Sequence, residues 1–266
     1  MTTNNGKIDN NWKIIEEKNK IFKIIFTYPS PIIINSLLKT KLIQGGTSTT
    51  DFKTLKFKAD SVKTLDQFQE EKQTETGKKQ LNINDVASLI KSLTSQLTYL
   101  LTTESRTIMG YSTENIIVIN DKIFVHIASE LLVKVQENNM ALISYPFTPG
   151  DFFVSPELLK IKELPSYCHY KTTYFSLGCL ALYTLLSDNE FYTNYLLKQE
   201  QILKQEQILK QEQILKQEQI LKQEQEQIPI NLGNLLKSHP IKNTKLYWLL
   251  SRCLTKDPKN RSILFI

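Results

Sequence analysis

Side chains able to do chemistry are sparse in this chain, and their spacing excludes several reactions at once. The three histidines, His126, His169 and His239, are scattered, and neither Cys-x-x-Cys nor Gly-x-Ser-x-Gly occurs. Zinc coordination and serine hydrolysis each need a ligand set or nucleophile that these residues do not supply. Cys168, Cys179 and Cys253 are odd in number and widely spaced, and two lie in apolar helical patterns. They read as reduced core thiols rather than as a disulfide framework. What stands out instead is Glu157, directly after Ser155-Pro156, and Arg261, which closes the run Leu254, Asp257, Pro258, Arg261.

The chain that must position these residues has 266 of them, 41% hydrophobic and 23% charged, with a formal charge of +6. That length suits one two-lobed domain or two small ones, and it can bury a sizeable core. The positive charge comes from scattered lysines and not from one block, so no nucleic-acid partner is expected. No apolar run reaches the roughly 18 residues of a membrane helix, and the start, MTTNNGKIDNN, is too polar for a signal peptide. The expectation is a soluble cytoplasmic protein with no membrane partner.

In order, residues 1–11 are polar and expected to be disordered. The run IFKIIF over 21–26 is bulky and β-branched and predicts a strand. Past Pro29 and Pro31, IIINSLLKTKLI reads as a helix or an irregular apolar segment, and FKTLKFKADSV alternates as a half-buried strand does. Residues 70–79 are charged and glutamine-rich and read as a surface connection. Asn82 or Asn84 then caps a helix that sets Val86, Leu89, Ile90, Leu93, Leu97 and Leu100 on one face. NIIVI and KIFVHI around Asn120-Asp121 predict a hairpin.

Near the end, residues 197–228 repeat Lys-Gln-Glu-Gln-Ile-Leu. Six residues advance a helix by about 600°, so the Ile-Leu pairs step around three faces and build no seam. A coiled coil needs a period of about 3.5, so a solvated helix is expected, with Glu200–Lys204, Glu206–Lys210, Glu212–Lys216 and Glu218–Lys222 in the favourable order. Pro229 ends it. As function the segment is a docking arm; as structure alone it is a low-complexity insert.

The order of these elements, with Ser155-Pro156-Glu157, the Ser176-Leu177-Gly178 helix entry and the Asp257-Pro258-x-x-Arg261 turn, resembles the C-terminal lobe of protein kinases. The resemblance covers roughly residues 82–266, and 12–81 only weakly. It implies an α+β, two-lobed kinase-like fold: a reduced N-lobe and hinge over 12–81, a mainly helical C-lobe over 82–266, and the 197–228 repeat as an exposed helical insert. It also implies a buried ion pair between Glu157 and Arg261, with Pro156, Gly178 and Asp257 as structural residues of the fold.

The same resemblance places the catalytic parts, and most are replaced. Kinase chemistry needs an Asp toward the substrate hydroxyl, an Asn and a second Asp on magnesium, and a strand Lys on the phosphates. The catalytic loop falls on Ile108 to Asn115, where Gly110 stands for the Asp, Met109 for the preceding Arg, and only Glu114 and Asn115 match. The metal-binding Asp falls on Ile127-Ala128-Ser129, and no carboxylate occurs from Lys122 to Ser129. His126, the nearest polar residue, reads as structural. No Gly-rich loop precedes a strand. Lys23 is the candidate phosphate ligand, without a helix Glu to pair it, and Thr173 stands where the lobe's long helix would carry an Asp bracing the loop.

The function expected on this footing is an inactive protein-kinase-like domain, a pseudokinase, working as a protein-binding or regulatory scaffold. It has no catalytic residue, no metal and no cofactor. Asn115 and Lys23 are the cofactor-binding candidates should ATP be retained. Tyr145, Phe147, Phe152 and Phe153 form the candidate partner surface, with packing onto the lobe itself as the other reading. Two alternatives stand beside it: a divergent serine/threonine kinase that keeps ATP binding or weak phosphotransfer through Glu104, Asp121 or Glu130, and a helical interaction protein working through the repeat arm. The sequence leaves the oligomeric state open.

Overall fold

The strand predicted over IFKIIF pairs with the apolar run before it. Trp12–Glu17 (β1) and Ile21–Phe26 (β2) form an antiparallel hairpin, turned by Asn19 and Lys20 at φ 65° and 57°. The computed structural model describes residues 11–77, 79–147, 152–186, 236 and 239–263. Residues 1–10, the 197–228 repeat and residues 148–151 lie outside the described residues. Past Pro29, the apolar segment is the helix Pro31–Lys39 (α1), with proline in its first turn, where a missing N–H costs nothing. Thr47–Ser48 (β3) and Thr54–Lys58 (β4) complete a four-stranded antiparallel sheet of order β1-β2-β4-β3.

Residues 70–79 correct the reading from sequence. Val62–Thr64 (β5) runs into a helix over Leu65–Thr76 (α2), so most of the supposed surface connection is helical. Its polar sequence carries little apolar periodicity, but its ends are well made. Thr64 and Gln67 form a reciprocal capping box, and Gly77 closes the helix at φ 77°. Ile83–Glu104 (α3) follows, capped by Asn82 accepting from Asp85 N–H at 2.9 Å.

Beyond it come Arg106–Ile108 (β6), Ile116–Ile119 (β7), Ile123–His126 (β8), Leu132–Lys134 (β9), Met140–Ile143 (β10) and Ser166–His169 (β11). The expected hairpin is β7–β8, turned by Asn120 and Asp121 at φ 52° and 55°. Three small sheets result: β5-β7-β8, β6-β9 and β10-β11. Pro156–Leu159 (α4), Thr172–Leu185 (α5) and Lys245–Cys253 (α6) are further α-helices. The protein is α+β. No helix among the described residues is long and apolar enough to cross a membrane.

Two hydrophobic clusters hold these elements. In one, Phe22, Ile24 and Phe26 of β2 pack with Ile33, Ile34 and Leu37 of α1, and Ile117, Ile119, Val125 and Ile127 from the β7–β8 hairpin join the same cluster. The other gathers α3, α5 and α6, together with Leu65 and Phe68 of α2. The second is the larger because α5 is apolar on all sides and buried along its whole length.

Candidate functional site

The loop from Met109 to Asn115 is fixed at both ends by backbone bonds. Met109 N–H donates to Leu131 C=O at 2.8 Å, and Asn115 C=O accepts from Ile127 N–H at 3.0 Å. Its centre is held from α5, where Ser176 Oγ accepts from Tyr111 N–H at 2.7 Å in a buried bond. Thr173, where the kinase resemblance would set an Asp bracing the loop, lies on the same helix. Thr173 makes no such bond, but Ser176, one turn further along α5, does. The Tyr111 hydroxyl lies toward Thr173 outside good hydrogen-bond geometry, and burial keeps that phenol protonated far above its usual range.

At Gly110 the space that any side chain would need is taken by another residue. An ideal Cβ built there falls 2.0 Å from Cδ2 of Phe152, whose ring is 4% exposed. Carbon atoms do not approach that closely, so any side chain at 110 must expel the ring. Phe153 N–H donates to Tyr111 C=O at 2.9 Å, tying the same segment to the loop, and Phe147 lies tilted against Phe152 with centroids 5.6 Å apart. Of the four aromatics read as a partner surface, Phe152 is therefore core. Phe147 and Phe153 are partly buried against it, and Tyr145 alone is well exposed, at 76%.

Asn115 turns its amide back on its own loop, donating from Nδ2 to Ser112 Oγ at 3.0 Å. The segment onto which the kinase resemblance places the metal-binding Asp, Ile127 to Ser129, has no carboxylate. Ile127 lies in the apolar cluster, and His126 is fully buried. A carbonyl can only accept, so His126 Nε2 carries its proton toward Ala128 C=O, 3.0 Å away. Burial depresses the imidazole pKa to about 4. Gln96 of α3 grips this strand end from behind. It accepts from His126 N–H at 2.9 Å and donates to His126 C=O at 2.8 Å and to Ser36 Oγ of α1 at 3.0 Å. The sequence signalled Gln96 only as a polar residue inside an apolar helical stripe.

Lys23 sits away from the interior. In β2 it alternates with the buried Phe22 and Ile24, so it lies on the sheet face opposite α1. There its ammonium pairs with Glu17 at 2.6 Å, and Lys56 joins at 3.2 Å. Hydrogen bonds from Lys23 and then Lys56 lower the Glu17 pKa. Lys23 and Asn115 are thus not brought together. Phe22, Ile24 and Phe57 of the sheet share one buried apolar cluster with Ile117 and Ile127. At the edge of that packing a cavity of about 570 Å³ opens, lined among others by Glu16, Asp60, Glu70, Glu71 and Lys63. Its carboxylates outnumber its one cation, which suits no phosphate group.

The frame residues do converge. Glu157 Oε2 accepts from Arg261 Nη2 at 2.9 Å, and Oε1 is held by Nη1 of the same guanidinium. Arg261 is wholly buried. Its Nε donates to Thr255 C=O at 2.7 Å, its Nη2 to Lys256 C=O at 3.1 Å, and it lies 5.0 Å over the Phe175 ring. Pro156 starts α4, which delivers Glu157, and Asp257 caps the short turn that delivers Arg261, accepting from Lys259 N–H at 2.9 Å. Gly178 lets α5 meet α6, since a Cβ there stands 3.0 Å from that of Cys253. All three cysteines are free and buried, and burial raises the thiols of Cys168 and Cys253 to about 12, which leaves them inert. No group of His, Cys, Asp and Glu able to hold a metal occurs among the described residues.

A scan against protein-family models gives no match, and a search of curated proteins gives none.

Proposed function

We propose that this chain is a protein-kinase-like domain stripped of phosphoryl transfer, which acts by binding another protein. One observation carries the reading: the Phe152 ring occupies the place of a side chain at Gly110, the position that the kinase resemblance gives to the catalytic Asp. A loop that has lost its carboxylate and filled the gap with a buried aromatic offers no group to orient a hydroxyl nucleophile. Three further features support it. Apolar side chains of the sheet and of the β7–β8 hairpin pack into one buried cluster. Lys23 serves Glu17 on the far sheet face. The Glu157–Arg261 pair, which in kinases ties the end of the activation segment to the lobe, is closed. On this reading the fold persists as a platform, and its kinase-like surface, with Tyr145 exposed upon it, is what a partner meets.

A thermal-shift titration with ATP, with and without magnesium or manganese, tests the proposal. A ligand at a hundredfold its Kd stabilises a fold by about 2.7 kcal/mol. No shift is expected under either condition. A metal-dependent shift means that a phosphate site survives, and it replaces this reading with that of a divergent kinase.

A further inference from the structure

β1 is the outermost strand of its sheet, with β2 on one side and no strand on the other among the described residues. Thr27 N–H bonds Asn11 C=O at 2.8 Å, and the register continues as Trp12 opposite Phe26. Antiparallel alternation then turns the backbone groups of Lys13, Ile15 and Glu17 toward β2, and those of Trp12, Ile14 and Glu16 outward. Among the described residues nothing bonds these outward N–H and C=O groups, and a six-residue edge of this kind is a template for another strand. Its side chains on the face opposite α1 are Lys13, Ile15 and Glu17, in register with Ile25, Lys23 and Ile21. Ile15 is 38% exposed, and Lys13 is exposed as well.

We propose that this edge pairs with β1 of a second copy of the chain, antiparallel about a two-fold axis through Ile15. The order Lys-x-Ile-x-Glu is its own complement when reversed. Ile15 meets Ile15 of the second copy, Lys13 meets its Glu17, and Glu17 meets its Lys13. The outward groups of Ile14 and Glu16 lie opposite one another in this register and complete the ladder. Ile15 falls at a non-hydrogen-bonded position, where opposing Cα atoms approach to about 4.5 Å and side chains touch. Moving the axis to Ile14 keeps the ladder but sets Lys13 against Ile15 and takes Lys13 of the second copy away from Glu17, which then keeps only Lys23 and Lys56 of its own chain. A one-residue slip turns the outward faces of the two sheets to opposite sides. Opposite charges flanking an apolar pair select one register, and a perpendicular two-fold joins the two four-stranded sheets into one, with both α1 helices on the same side.

Sedimentation equilibrium on the full chain at high micromolar concentration is expected to give twice the 30.8 kDa monomer mass. Ile15→Lys sets two ammonium groups opposite each other and is expected to return the mass to that of the monomer, with an unchanged circular dichroism spectrum. Ile15→Cys reads the register directly. It is expected to form an intermolecular disulfide on mild oxidation of the folded protein, whereas Lys13→Cys cross-links efficiently only when mixed with Glu17→Cys. The native thiols are buried and do not interfere. A chain that stays monomeric, a dimer that Ile15→Lys leaves intact, or a folded Ile15→Cys protein that fails to cross-link each overturns the proposal.

Discussion

Replacing Glu157 by alanine leaves the guanidinium of Arg261 wholly buried and without its carboxylate. Removing one partner of a buried pair costs about 3–5 kcal/mol, because the remaining charge is uncompensated. Two features set where in that range this pair falls. Arg261 keeps carbonyl partners at Thr255 and Lys256, which soften the loss, while Glu157 is 19% exposed and was never fully desolvated. The lower end, ~3 kcal/mol, is therefore expected, a fall in Tm of roughly 6–12 °C at ~2–4 °C per kcal/mol for a domain of this size. Arg261→Met also removes the stacking on Phe175 and the donors to the Thr255, Lys256 and Lys171 carbonyls, so it is expected to cost at least as much. The double variant has no orphaned charge and is expected to fall well short of the sum, with a coupling of ~1.5–3 kcal/mol. Urea denaturation followed by circular dichroism on the four proteins closes the cycle. A loss below ~1 kcal/mol for Glu157→Ala, or singles that simply add, refutes the claim that this pair holds α4 to the Asp257 turn.

Two other perturbations follow from the site. Gly110→Asp forces the Phe152 ring out of its seat and is expected to cost ~1–3 kcal/mol; pairing it with Phe152→Ala should recover part of that loss, and neither variant should transfer phosphate in an assay with labelled ATP. His126 takes up its proton near pH 6.5 when unfolded but only near 4 when folded, so the unfolded state binds more protons in between, and stability is lost as the pH is lowered from about 6.5 to about 4. The loss totals about 3 kcal/mol, and it should vanish from the pH dependence of the urea midpoint in His126→Gln.

Local and periodic features of this protein were legible in its sequence. The β2 alternation, the α3 stripe with its Asn82 cap and the Asn120-Asp121 hairpin are set by contacts within a few residues, where periodicity and turn chemistry act directly. Glu157 and Arg261 were legible for a different reason: both stand inside short patterns whose resemblance to kinases implied a pair, and a buried charge is costly without a partner. α2 was missed because its polar surface hides its period and its stability comes from its caps and from Phe68 beneath it. Only the tertiary structure decided the rest. Which face of β2 turns inward put Lys23 outside. A missing Cβ at Gly110 became a seat for Phe152, and Ser176 rather than Thr173 reached the loop. Each of these depends on residues far apart in the chain coming into van der Waals or hydrogen-bond contact. The order of amino acids constrains such contacts only through the packing of the whole fold.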